Sequence, residues 1–321
     1  MDPLFTKLLI KYKQNSLRIV YYHMISNVKP DYYFNNKGIS LKLFKSQISF
    51  YKSHYEIISL EKALSLAKKN ICLKNKLVIT FDDGFVENYS IVAPILLSEK
   101  ITATFFFTTN CIDNKDLMWR NKLVVIQKHI LESHISKINK FSDLFNVINL
   151  NFNDSLLEWS KNHWPMSIKE VFVNKIWDIV MPYTLTHYLK ENKPYCSSAQ
   201  IKELSNLGFS IGSHSLSHPM FNKLDYESFS NEIISSSLIL SKIINKEVKL
   251  FSYPFGERSI KLHEEKFLKL NKSNWIFLGT KNYLNNFSNN YNFWERDNVE
   301  FNNFFMKLRF AYFPIIRSFI K

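Results

Sequence analysis

An α/β fold built on a mainly parallel sheet is what this sequence predicts, and three observations predict it. Short β-branched and aromatic runs alternate with longer stretches of helical periodicity. Each group of chemistry-bearing residues falls just after one of the short runs, where the sites of parallel sheets lie. The 321 residues are 46% hydrophobic and 22% charged, an ordinary globular balance, with only 6 glycines and no repeat of roughly 20 to 50 residues. Disordered, collagenous and solenoid architectures are thereby excluded.

The elements follow in order. Leu17 to Tyr22 (LRIVYY) is a first buried strand. Leu41 to Tyr51 and Leu60 to Lys69 carry helical spacing, with a short strand, YEIIS, between them. Lys76 to Phe81 (KLVITF) is short, β-branched and bounded by Asp-Asp-Gly, the pattern of a buried strand. Ala93 to Lys100 is a helix and Ala103 to Thr108 (ATFFFT) the next strand. From about 114 to 195 the strand signals stop, and helical periodicity with several tryptophans takes over. This stretch reads as a helical insertion, a lid or one wall of a cleft. Ser197 to Gln200 has the S-x-x-Q form of a capping box, opening a helix that ends at Gly208. Phe209 to Ser213 is a strand, Asp225 to Asn245 a long helix, and Val248 to Tyr253 a strand ending at Pro254. Trp275 to Gly279 and roughly Phe293 to Val299 are the last strands.

Charge and cysteines bound the function classes. The formal net charge is +14, from 42 basic and 28 acidic residues. It reads as an anionic partner or as the Lys/Asn/Ile/Phe bias of an AT-rich genome. No helix-turn-helix, zinc-finger or RNA-binding signature accompanies it, so nucleic acid is not an expected partner. The three cysteines, Cys72, Cys111 and Cys196, form no CxxC pair and no disulfide framework. No apolar run reaches the roughly 18 to 20 residues that span a bilayer. Lysines and Arg18 interrupt the first 23 residues, leaving no uninterrupted signal-peptide core, and a cytoplasmic location is the expectation.

Three segments can carry chemistry. In Thr80-Phe81-Asp82-Asp83-Gly84, adjacent carboxylates at a strand end point in different directions. One can ligate a metal while the other accepts a proton; an ordinary turn is the alternative. In His214-Ser215-Leu216-Ser217-His218, two imidazoles four residues apart fall on one face of a helical turn and can share a metal. In Ser252-Tyr253-Pro254-Phe255-Gly256, a fixed φ beside a permissive residue makes a loop able to aim a backbone N–H at a developing oxyanion. Together they offer one Asp and two His, which is the ligand set of a catalytic metal with an open position.

These segments resemble the first three motifs of the polysaccharide deacetylases, the NodB-homology or carbohydrate esterase family 4. The surrounding Tyr22-His23, Asn88-Tyr89, Ala93-Pro94-Ile95-Leu96 and Ala103-Thr104-Phe105-Phe106 are similar too, over about residues 17 to 299. The resemblance implies one domain, a distorted (β/α)7 barrel with the insertion between the first and second motifs, and a basic-aromatic segment at about 301 to 321. It implies a divalent metal, generally zinc, on Asp83, His214 and His218; cobalt, nickel or manganese suits the same ligands. Asp82 would be general base on metal-bound water, and the Tyr253, Pro254, Phe255, Gly256 loop would contact substrate and oxyanion. The implied activity is hydrolytic removal of acetyl groups from an N-acetylated saccharide by a bacterial enzyme. The expected substrate is a surface polysaccharide, lipopolysaccharide or glycan precursor, with the absence of a leader favouring a precursor made inside the cell. A glycan-binding barrel with impaired turnover, or another C–N hydrolase on the same fold, are the rival readings.

The chain departs from the family pattern in three places. An arginine expected two residues before the third motif's proline is Ser252, and Arg296 is the substitute in reach, unless it forms a surface pair with Glu295, Asp297 or Glu300. No histidine follows His263, so the late Leu-x-His acid is missing; His23, His187 or metal-bound solvent could replace it. Third, the insertion is long and carries Trp119-Arg120, Trp159, Trp164 and Trp177, either a sugar-stacking wall or helix packing. The tail from Phe301 to Lys321 reads as an interfacial helix giving peripheral membrane contact, or as a helix on the barrel broken at Pro314.

Overall fold

The structure is a computed structural model and describes residues 17–33, 38–132, 156–271, 274–281, 285 and 292–316. It begins with β1 (Arg18–Tyr22), α1 (Leu41–His54), β2 (Glu56–Ile57), α2 (Leu60–Lys68) and β3 (Lys76–Phe81). Next come α3 (Ala93–Ser98) and β4 (Thr104–Phe107). Four helices follow without a strand: α4 (Trp119–Glu132), α5 (Leu156–His163), α6 (Lys169–Val180) and α7 (Leu185–Asn192). The alternation resumes with α8 (Ser198–Asn206), β5 (Ser210–Ser213), α9 (Tyr226–Ile244), β6 (Leu250–Ser252), α10 (Lys261–Asn271) and β7 (Ile276–Gly279). The last elements are β8 (Phe293–Glu295), β9 (Asp297–Asn298) and α11 (Asn303–Ile316).

Local chemistry sets these boundaries. Ser40 and Ser59 cap α1 and α2 through their hydroxyls. Ser197 and Gln200 make the expected capping box on α8, which stops at Asn206, two residues short of Gly208. Asp225 caps α9, and Asn245 closes it in the left-handed conformation. Two expectations fail. The helix α10 was not expected; Glu264 and Phe267 are its only buried positions, too few to make an apolar stripe in the sequence. The break expected at Pro314 is absent, because α11 runs on to Ile316. Pro314 sits in the last turn, where its missing N–H removes a single terminal hydrogen bond.

All the strand pairs are parallel, in the order β8-β7-β6-β5-β4-β3-β1-β9, with β2 beside β3. One residue, Arg296, separates β8 from β9, yet β8 pairs with β7 and β9 with β1. A single extended segment therefore joins the two ends of the sheet. Counted that way, β1, β3, β4, β5, β6, β7 and the β8–β9 segment are the seven staves of a nearly closed barrel.

Both faces of the strands are buried, as in parallel sheets flanked by helices. Ile19, Val78, Phe106, Leu250, Leu278 and Trp294 form one cluster, which alternation places inside the barrel. Val20, Tyr22, Ile79, Phe81 and Phe105 alternate with them and meet α1, α8 and α9. Leu123, Ile126, Leu157, Val173, Ile176 and Trp177 form a separate core among α4, α5 and α6. The expected helical insertion is thus present, though its residues 133–155 lie outside the described ones. Met306 and Phe310 of α11 pack on the barrel, with Phe310 stacked 6.0 Å from Tyr51, while Phe304 and Phe305 stay exposed.

The closing segment is held by buried charge. Arg18 on β1 pairs with Asp297 on β9, both almost fully buried, and the Arg18 guanidinium lies 3.9 Å from the centre of the Phe310 ring. Removing one member of such a pair leaves an uncompensated charge and costs about 3 kcal/mol or more. Arg18→Met should lose about that much stability in denaturant titration. A loss below about 1 kcal/mol would show that the seam does not depend on the pair.

Candidate active site

His23, Asp82, Asp83, His214, His218, Tyr253, Phe255, Gly256 and Arg296 line or adjoin one cavity at the C-terminal ends of the strands. This cavity, of about 250 Å³, is lined by His23, Asp82, His214, His218, Tyr253, Phe255 and Gly256, together with Tyr21, Tyr33 and Arg120. Pro254, in the same loop as Tyr253 and Phe255, is buried. His23 follows β1, the two aspartates follow β3, His214 follows β5, and the Tyr253–Gly256 loop follows β6.

Asp83 and the two histidines converge. Asp83 Oδ1 lies 3.4 Å from His214 Nε2 and 3.5 Å from His218 Nε2. The imidazoles are not brought together by a helical turn, as the spacing suggests. They sit on a loop, with Ser215 at φ 74° and His218 at φ 56°, and Asp83 itself has φ 72°. Left-handed backbone at non-glycine residues costs energy, and such strain collects at functional sites. The surroundings hold it: Glu232 accepts from the N–H groups of Leu216 and Ser217 at 2.8 and 2.9 Å, and Ser215 Oγ accepts from the His218 N–H.

The protonation pattern suits a cation. His214 Nδ1 donates to the Ser252 carbonyl at 2.8 Å, which turns Nε2 toward Asp83. Burial first, then the nearby Arg120 charge, push His218 down to about 3, so it is neutral. Burial alone would raise Asp83, but the Arg120 guanidinium and the two imidazoles hold it well below the usual carboxylate range. Asp83 Oδ1 and His218 Nε2 are buried without a hydrogen-bond partner. Orphaned buried polar atoms are rare, and one divalent ion would satisfy a carboxylate oxygen and two imidazole nitrogens at once. The three donors lie within 4.8 Å of one another, so these residues fit such an ion.

Asp82 faces a different environment. Arg296 NH1 donates to Oδ1 at 2.8 Å and NH2 to Oδ2 at 2.7 Å, a bidentate pair sealed from solvent. Arg296 also donates to Thr80 Oγ1 at 3.1 Å and to Ser252 Oγ at 2.6 Å, and Ser252 donates on to Asp82 Oδ2 at 3.2 Å. Burial works to raise Asp82, and Arg296 and His214 overcome it to hold its carboxyl low. Arg296 therefore makes no surface pair with Glu295, Asp297 or Glu300.

His23 is tied to Glu300 twice, N–H to Oε1 at 2.8 Å and Nδ1 to Oε2 at 2.7 Å. Burial pulls its pKa down, but the Glu300 carboxylate more than reverses this and raises it to about 9. His187 lies exposed on α7, outside the cavity. The insertion's tryptophans do not line the cavity either. Trp119, Trp164 and Trp177 are buried packing residues, and Trp159 stacks on His163 at 4.6 Å. Phe255 has φ 58°, and Gly256 at φ 69° has no room for a side chain, since a Cβ there would lie 1.7 Å from Thr280 Oγ1. Sequence reasoning missed the tie of Glu300 to His23 and the part Arg120 plays beside Asp83; each is a lone charge with no motif spacing to mark it.

Comparison with known proteins fits this geometry. The sequence profile described as polysaccharide deacetylase matches residues 70–271. Poly-beta-1,6-N-acetyl-D-glucosamine N-deacetylases of Staphylococcus aureus are 31% identical over 156 residues, 41% of this chain and 54% of theirs. The chain thus spans about half the length of the curated relatives it matches. IcaB from Ammonifex degensii superposes with a TM-score of 0.59 at 15% identity, covering 94% of this chain and 97% of that one. The Streptococcus pyogenes deacetylase PplD, in complex with acetate, gives 0.56 at 17% identity over 89% and 93%. Both likenesses show a common fold, the (β/α)7 barrel expected above. Because the profile extends over more than half of the chain, the protein belongs to the polysaccharide deacetylase family, a family of hydrolases.

Proposed function

We propose that this protein is a metal-dependent N-deacetylase of an N-acetylated saccharide. The observation that carries the reading is the division of labour between adjacent carboxylates. Asp83 faces the Nε2 atoms of two imidazoles, whereas Asp82 is gripped by Arg296. A β-1,6-linked N-acetylglucosamine polymer is the substrate class suggested by the name of the curated relatives.

Asp83, His214 and His218 would hold a divalent ion, zinc being the ordinary choice for this ligand set. When bound, the ion supplies Lewis acidity toward the acetyl carbonyl and toward water. Asp82, kept ionised by Arg296, accepts a proton from the attacking water as its oxygen bonds to the carbonyl carbon. The loop of Tyr253, Pro254, Phe255 and Gly256 places a backbone N–H, that of Phe255, beside the developing oxyanion. Collapse breaks the C–N bond and releases acetate, and His23, protonated through its tie to Glu300, gives the amine its proton. His23 thereby replaces the late histidine that the chain lacks.

Three outcomes are expected. Wild type should carry about one divalent ion per chain by elemental analysis. His218→Ala should carry none, and wild type that stays empty after zinc is added back would sink the reading. Asp82→Asn should keep the ion and lose about 100-fold or more in acetate release from acetylated oligosaccharides. Undiminished release would remove Asp82 from its role. The third outcome concerns pH. The His23 value lies above its ordinary 6.5, so the proton is retained through neutrality and lost as pH rises through about 9. Activity should fall across that range, and Glu300→Gln should move the fall toward about 6.5. An alkaline limb that stays in place in Glu300→Gln would exclude His23 as the acid.

A further inference from the structure

Two consecutive residues of the insertion touch all three motif loops, and the reaction scheme uses neither. Arg120 NH2 donates to Asp83 Oδ2. The Trp119 indole Nε1 donates to the His218 carbonyl at 2.8 Å. The Trp119 ring lies 6.0 Å from the Phe255 ring, and the Arg120 guanidinium 5.8 Å from it. Trp119 is wholly buried and the Arg120 side chain only 13% exposed.

Both residues begin α4, and α4 is fixed from its other side. The same turn carries Lys122, fully buried, whose Nζ reaches Asp116 at 2.7 Å, Asn174 at 2.9 Å and Glu170 at 3.2 Å. These partners come from the loop before α4 and from α6. Lys169, on α6, reaches Ser217 Oγ at 2.9 Å, inside the loop that carries the two histidines. The first turn of α4 is thus pinned between the insertion's own core and the barrel mouth.

We propose that Arg120 is the positioning residue of the metal centre, assisted by Trp119; the proposal rests on the metal-dependent reading above. An unrestrained carboxylate can offer either oxygen, or both. By taking Oδ2 through a charge-assisted bond, Arg120 leaves Oδ1 as the oxygen facing the two imidazoles. Partners behind the ligands orient them in this way. Trp119 restrains the backbone of His218, so the pair fixes the distance between ligands contributed by two different strands. A guanidinium beside a cation site opposes binding by its charge. What Arg120 contributes must therefore come from order and not from attraction.

The test uses the full chain, stripped of metal and reloaded with Co²⁺, as wild type, Arg120→Gln and Trp119→Phe. The Co²⁺ d–d absorption reports the ligand field directly. Arg120→Gln should shift the bands and change their intensity, because Asp83 can then present a second oxygen. Trp119→Phe should weaken Co²⁺ binding about tenfold in chelator competition. Thermal unfolding of the metal-free proteins runs beside these, since a merely structural role lowers the midpoint and leaves the spectrum alone. A folded Arg120→Gln whose spectrum superposes on wild type overturns the proposal. If Arg120→Gln does not fold, Trp119→Phe decides, and an affinity within twofold of wild type overturns it. Wild type that takes up no Co²⁺ overturns the metal-dependent reading and this proposal together, whereas a loaded wild type matched by both variants overturns only the proposal.

Discussion

The pairing of Arg296 with Asp82 is the interaction on which the rest of the structure depends. It is made between the end of β3 and the one residue that separates β8 from β9, so it is at once a bond across the barrel mouth and the setting of a carboxylate. A buried carboxylate alone in this position would rise in pKa and take up a proton. A buried guanidinium alone would be a costly unpaired charge. Each is tolerable only because the other is there. Thr80, Ser252 and the Gly279 carbonyl take up the guanidinium's remaining donors, so the cation is satisfied without solvent. On the same segment, Arg18 and Asp297 repeat the arrangement with the signs exchanged between strands. The seam of the barrel is thus fastened by two ion pairs, one of which also holds the Asp82 carboxyl low.

Two aspartates that are neighbours in sequence end in unlike surroundings because a strand ends between them and the loop. Asp82 still follows the sheet, its N–H bonded to the Tyr22 carbonyl at 2.9 Å. Asp83 has already turned into the left-handed region, which swings its side chain toward β5 and the histidines. The contrast is steric in origin and electrostatic in effect. One carboxylate is taken up by a cation of the protein's own, and the other is turned toward two imidazoles.

Much of this was legible in the sequence where a local rule is strong. KLVITF ends against Asp-Asp-Gly and is β3 to the residue. The Ser197 capping box and the Asp225-to-Asn245 span come from hydrogen bonding within four residues. The ligands were legible because three short motifs each follow a strand. What escaped depends on partners far along the chain. Glu300 matters because β9 delivers it to β1, 277 positions away, and no spacing rule reports that. Arg120 has a meaning only once α4 is laid against the loop of Asp83. The tryptophans were ambiguous for a related reason: an aromatic at helical spacing suits a core and a sugar surface equally, and only the packing of α4, α5 and α6 decides for the core. α10 escaped because its helix presents so little apolar surface to the barrel.

The single-residue gap between β8 and β9 has a consequence for assembly. The cation that ionises Asp82 lies 214 positions beyond it in the chain. A ribosome must therefore release nearly all the staves before the guanidinium can arrive, and until then nothing fixes the direction in which Asp82 points. An incomplete or slipped barrel would present Asp83 and the two histidines beside an Asp82 that lacks its guanidinium. On the proposed reaction, a nascent or misregistered chain is therefore inert by construction and not by inhibition.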